Sequence, residues 1–169
     1  SVMLDLWKAF ETIAPEALLH EAEQVNFPMR LMGMLLLTYR QPRVLKAHQS
    51  LSVLTIAEQG NLAGCSHATT CLTVLLYRAL RRASGLCRRV QPRAVVDDCS
   101  LQWVAAEGAK MEDLEMVTGE FINDLKKLKM IVQPSKSGHV ATMAVLERTF
   151  VPLAGKLGAI KRIPSGACD

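Results

Sequence analysis

Apolar positions along the chain change period several times, and each change marks a predicted element. Residues 2–6 form a short apolar strand with Asp5 near its end. Pro15 suits the first turn of a helix, whose stripe is Ala17, Leu18 and Ala22 and which Asn26-Phe27-Pro28 breaks. Residues 29–39 are so uniformly apolar that they predict a mostly buried second helix, ended by Gln41-Pro42. Residues 43–47 and 51–56 read as the two strands of a hairpin. A loop over 58–64 follows, with Gly60 and Gly64 in it. Ser66 is then the expected N-cap of a long helix reaching about Arg82, which Ser84-Gly85 stops. Residues 90–96 and 99–104 are β-branched or aromatic enough for a second hairpin, with Asp97-Asp98 at its tip. A helix over 111–130 carries Leu114, Val117, Phe121, Leu125 and Leu128 at helical spacing. Residues 131–140 are irregular or strand, with Pro134, Ser135 and Gly138, and residues 141–157 are helical with an interruption at Pro152. Hairpins outnumber crossover units, so the predicted class is α+β: an antiparallel sheet with helices packed on one face.

Composition narrows the picture only slightly. The chain has 169 residues, half of them hydrophobic, which predicts one domain with a real core. The apolar run at 31–39 is too short to span a bilayer. The first residues show no basic region or cleavage pattern of a signal peptide. Five cysteines at spacings that fit no zinc pattern read as reduced thiols. The expectation is an intracellular protein, nuclear or cytoplasmic, not secreted and without a membrane partner. The four histidines are scattered and form no ligand pair.

The net charge of +4 is too small by itself to name a partner. Clustering says more: Arg78, Arg81, Arg82, Arg88, Arg89 and Arg93 crowd one segment, and Lys126, Lys127 and Lys129 another. Such patches attract phosphate backbones, although a solvated helix face has the same composition.

The candidate chemistry lies in three aspartates. Adjacent anions at 97 and 98 repel each other, a cost that a hard cation would offset; an Asp-rich turn is the simpler reading of the pair alone. Asp5, at the end of the first strand, can come beside them in an antiparallel sheet. Three converging carboxylates are suited to two Mg²⁺ (or Mn²⁺) ions about 3.5–4 Å apart, the arrangement used for in-line phosphoryl displacement.

With those positions in view, the chain resembles the palm of reverse transcriptases, the RNA-directed DNA polymerases of non-LTR retrotransposons and group II introns. The stretch Leu4-Asp5-Leu6-Trp7-Lys8-Ala9-Phe10-Glu11 is similar to the first palm motif, with Glu11 where Asp is usual. Gly60-Asn61-Leu62-Ala63-Gly64-Cys65-Ser66-His67-Ala68-Thr69 resembles the second, keeping both glycines but with Leu62-Ala63 for Pro-Gln and Ala68-Thr69 for Ser-Pro. Val95-Val96-Asp97-Asp98 is similar to the third, with Val95 in the aromatic place, and residues 128–143 with Lys136 resemble the fourth. A response-regulator receiver also combines an Asp pair, Mg²⁺ and a Lys, but in a different order.

The resemblance implies a partial palm over 1–169, with most of the fingers and the thumb absent. It implies nucleotidyl transfer from a dNTP to a primer 3′-hydroxyl on an RNA or DNA template. Asp5, Asp97 and Asp98 would then hold two Mg²⁺ or Mn²⁺ ions, and Lys136 would lie near the β- and γ-phosphates. Phe10 would lie under the sugar and exclude a 2′-hydroxyl, while Gly60 and Gly64 would let the backbone approach template and nucleotide. Trp7 and Trp103 are expected in the core. The alternative is a non-catalytic retroelement remnant or a nucleic-acid-binding module. Substitutions at Glu11, Leu62, Ala63 and Val95 favour the alternative, and retention of all three aspartates opposes it.

Overall fold

A sheet in the order β4-β5-β1-β6-β7 organises the chain. The structure is a computed structural model and describes residues 1–61, 64–104, 111–139 and 161–162. Its elements run β1 (Val2–Asp5), α1 (Pro15–Gln24), α2 (Met29–Tyr39), β2 (Lys46–Ala47), β3 (Ser50–Leu51), α3 (Ala68–Leu86), β4 (Val90–Val95), β5 (Asp98–Trp103), α4 (Met111–Lys127), β6 (Gly138–His139) and β7 (Lys161–Arg162). In β4-β5-β1-β6 each strand is antiparallel to the next, and β7 joins β6 in parallel. The α+β class with helices against one face of an antiparallel sheet is therefore observed. The helix expected over 141–157 lies outside the described residues.

Strand alternation explains the one-sided packing. Val2 and Leu4 on β1, Cys99 and Leu101 on β5 and Val90 on β4 are at most 1% exposed. They face Leu72, Leu75, Phe121 and Leu125 of α3 and α4 in a common core. Their neighbours Met3, Asp5, Asp98 and Ser100 take the other face, because successive residues in a strand alternate. Among the described residues Met3 and Asp98 on that face are exposed, and the face carries the carboxylates.

Two helices end by the same device. After α1, Asn26 takes φ +55°, with Phe27 N–H donating to the Ala22 carbonyl (2.8 Å) and Asn26 N–H to that of Glu23 (3.1 Å). After α4, Lys129 takes φ +61°, with Met130 N–H donating to Leu125 (2.9 Å) and Lys129 N–H to Lys126 (3.0 Å). Both are Schellman closures. The second ends α4 at Lys127, short of the expected Met130, and a lysine in the usual glycine position gives no warning of it.

Three other expectations are corrected. α3 runs through Ser84-Gly85 to Leu86, since Ala83 is buried against the core and tertiary packing outweighs the roughly 1 kcal/mol cost of a helical glycine. Its N-cap position is His67, not Ser66, and no side chain caps it. The hairpin expected over 43–56 keeps only two paired residues per strand, plus a bridge between Arg43 and Thr55. Leu45, Leu51, Val53 and Leu54 are 65–83% exposed, so this hairpin has no core to lengthen it.

Candidate active site

Register brings the first and third motifs together. Asp5 is the direct partner of Asp98 across β1 and β5, and Val95 is the partner of Asp98 across β4 and β5. The hairpin turn is Val96-Asp97, so Asp98 belongs to the strand and not to the tip as expected. Directly opposed residues have Cβ atoms about 4.5–5.5 Å apart and side chains on one face, and opposed like charges destabilise the pair. Asp5 and Asp97 are half-buried and Asp98 is exposed.

The turn is strained. Val96 has φ +58° and Asp97 does not share the positive φ, the pattern of a type II′ turn whose first position favours glycine. A β-branched residue there is an outlier costing on the order of 1–3 kcal/mol.

The carboxylates also act electrostatically on the far side of the sheet. Burial raises the Cys99 thiol to about 12, and the charges of Asp98 and Asp97 push it the same way.

All three candidate ligands are hard oxygen donors, the set Mg²⁺ takes, and the Asp5–Asp98 pair supplies two of them across one ladder rung. Among the described residues, however, no three His, Cys, Asp or Glu side chains are gathered closely enough to hold a metal ion. Of the expected convergence of three carboxylates, register thus supplies the Asp5–Asp98 pair, and the three-ligand cluster is not assembled among the described residues.

The second motif packs directly on the first. Gly60 N–H donates to the Ile13 carbonyl (2.8 Å) and Asn61 N–H to the Phe10 carbonyl (2.7 Å). A Cβ on Gly60 would come within 2.5 Å of the Glu11 carbonyl oxygen, and Gly60 has φ +84°. Glycine is required there by the Glu11 backbone, a reason different from the expected approach to nucleotide. Gly64 shares φ +84° but faces open space. Phe10 is half-buried, lying in the turn after β1 against the edge of the core. Leu62 and Ala63 lie outside the described residues.

Lys136 is exposed in the 134–136 turn, and that turn is fastened to Asp5 by Gln133 and Ser137. Neither Gln133, Ser137 nor the buried Asn61 was singled out from sequence; a polar residue beside a turn carries no pattern that separates it from a solvated one.

Cys65, just before α3, has its thiol lowered by the Tyr39 hydroxyl and then by the backbone N–H of His67, against the opposing effect of burial. Tyr39 is raised by burial and by the same thiol. Trp7 is 40% exposed with the Lys8 ammonium 5.1 Å from its ring centroid, so it is not the core residue expected. Trp103 does pack against the core.

Part of the arginine cluster has a structural occupation. Arg78 pairs with the buried Glu21 of α1 at 3.1 Å. Arg82 pairs with Asp124 at 2.9 Å and Glu120 at 3.3 Å on α4, and Lys127 joins Asp124 at 2.9 Å. Cavities of about 590 and 630 Å³ open beside Arg78 and Arg82 among these helices, not at the carboxylates. Arg93 lies on the open face, as the partner of Ser100.

The sequence matches no family model and no curated protein. Among the described residues, no helix is long and apolar enough to cross a membrane.

Proposed function

We propose that the chain is the palm of an RNA-directed DNA polymerase that joins a dNTP to a primer 3′-hydroxyl. One observation carries the reading: Asp5 and Asp98 are register partners on the open face of an antiparallel sheet, with Asp97 in the adjoining strained turn. Two opposed carboxylates are a poor choice for stability and a good one for binding a cation. The order of the four motif-like stretches supports the same reading.

In this function Asp5, Asp98 and Asp97 would hold Mg²⁺ or Mn²⁺. Bound divalent ions would supply Lewis acidity to the attacking hydroxyl and the leaving pyrophosphate. The remaining roles belong to the chain. The Gly60-Asn61 backbone holds the Phe10 turn in place. Phe10 excludes a 2′-hydroxyl by filling the space beneath the ribose. Lys136 stabilises charge developing on the β- and γ-phosphates. Template and primer lie along the open face, where Arg93 offers a phosphate contact.

The ungathered state of the three donors favours a second reading, a nucleic-acid-binding module without catalysis. Primer extension separates the two. The expected result is Mg²⁺-dependent extension that Asp5→Asn and Asp97→Asn each abolish. Phe10→Ala should raise the rNTP-to-dNTP ratio of kcat/KM about tenfold or more, since an accommodated hydroxyl avoids a penalty of roughly 1–3 kcal/mol. Binding to primer–template without extension would select the module. A ratio unmoved by Phe10→Ala would make Phe10 a core residue only.

A further inference from the structure

Between Val132, bridged to Leu6, and β6 the chain leaves its place beside β1 for a single turn over residues 134–136. The Leu6–Val132 bridge still supplies the bond to the Asp5 carbonyl, but the ladder partner of the Asp5 N–H is replaced by a side chain. Gln133 N–H donates to the Asp5 carbonyl at 2.9 Å. Asp5 N–H donates to Ser137 Oγ at 3.1 Å. The Ser137 hydroxyl in turn donates to the Gln133 carbonyl at 2.8 Å, which also accepts from the N–H groups of Lys136 (3.2 Å) and Ser137 (3.0 Å). Ser137 is 1% exposed, so water does not compete for these bonds, and its hydroxyl is used both as donor and as acceptor.

We infer that Ser137 is a positioning residue that fastens the Lys136 turn to the Asp5 strand end, so that the lysine and the carboxylate edge move as one unit. Without the hydroxyl, Asp5 N–H loses its acceptor and the turn is held to Asp5 by the Gln133 bond alone. Ser137 touches no substrate; it acts through where it places Lys136. The inference rests on the polymerase reading and adds a residue to it.

The test uses the 169-residue chain with a template annealed to a primer ending in a 3′-dideoxynucleotide, Mg²⁺ and the next correct dNTP. Lys136→Ala should weaken nucleotide affinity about tenfold, the size of one charge-assisted contact. Ser137→Ala should weaken it severalfold, and the double variant should be no weaker than Lys136→Ala alone, because both changes remove the same interaction. A residue that merely supports the fold would give additive losses. Additive losses, or a Ser137→Ala affinity equal to wild type, would overturn the inference while leaving the polymerase reading intact. Failure of the wild-type chain to bind nucleotide would overturn both the inference and the proposal that these 169 residues hold a working polymerase site by themselves. A separate readout needs no variant: in the wild-type chain the Asp5 amide should exchange with solvent as slowly as that of Leu4, and rapid exchange at Asp5 would overturn the clamp.

Discussion

Gly60 and Gly64 share a φ of +84° and differ in their surroundings. An L-residue in the left-handed region costs roughly 1–2 kcal/mol, so Gly64→Ala should lower unfolding stability by about that much. Gly60→Ala adds a Cβ driven to 2.5 Å from the Glu11 oxygen, with the Glu11 Cα at 2.7 Å. The obstacle is backbone and cannot swing away, so the total loss should reach about 3 kcal/mol or more. Urea midpoints of the two variants measure the difference; equal losses would mean that the Glu11 turn yields. The glycine requirement was legible in the sequence because both residues punctuate a polar loop. Its cause was not, since the contact joins positions 49 residues apart and only the folded register creates it. Ser137 was illegible for a related reason: its value lies in one hydrogen bond to Asp5, 132 residues away in sequence. The left-handed Val96 was hidden too, because nothing in a Val-Val-Asp-Asp stretch announces a turn position that glycine would normally fill.

At the scale of elements, hydrophobic period located α1, α2, α3, α4, β1 and the β4–β5 hairpin, although α2, expected to be mostly buried, buries only the stripe Met32, Leu35, Leu36 and Tyr39 and leaves Met29, Leu31, Met34 and Leu37 39–67% exposed. Ends and partners were harder, since a lysine in a Schellman position or a packed alanine past a glycine reads as ordinary helix. Charge was the least legible property. Arg78 and Arg82 belong to the same run as Arg93, yet they join α3 to α1 and α4 through Glu21 and Asp124. The two classes should separate in one pair of measurements. Arg82→Ala leaves the largely buried Asp124 with Lys127 alone and should cost roughly 1–2 kcal/mol of stability, the half-exposed guanidinium holding it below a fully buried pair. It should leave the salt dependence of nucleic-acid binding unchanged. Arg93→Ala should do the reverse, lowering the slope of log K against log salt by nearly one phosphate contact with little effect on stability. A changed slope in Arg82→Ala would mean that its ion pairs open to phosphate.

Among the described residues the sheet has two unlike faces, and the response to pH follows from that division. Cys99 projects into the core while the neighbouring Asp98 projects outward, so the thiol is both buried and close to negative charge. Its ionisation is raised from the ordinary 9.0 to about 12. Below pH 9 the thiol is neutral in the folded and the unfolded chain, and the full stability is present. Between pH 9 and about 12 the unfolded chain ionises and the folded chain does not, so each pH unit removes up to about 1.4 kcal/mol, to a limit of roughly 4 kcal/mol. Tyr39, also raised by burial, adds a loss of the same sign above its ordinary 10.0. Unfolding by urea at steps from pH 8 to pH 11 should show a plateau and then a steady decline starting near pH 9. Cys99→Val keeps the buried position apolar and should make the decline shallower, leaving the losses from the buried Cys71 thiol, which burial also raises, and from Tyr39. Neutralising the outward charges acts through the sheet: Asp98→Asn should leave the onset near pH 9, which the unfolded chain sets, and should end the decline at a slightly lower pH with a slightly smaller total loss, because Asp98 is the larger of the two carboxylate influences and burial the larger cause overall. A decline as steep in Cys99→Val as in the wild type would place its origin elsewhere, and the coupling between the carboxylate face and the core would lose its signature.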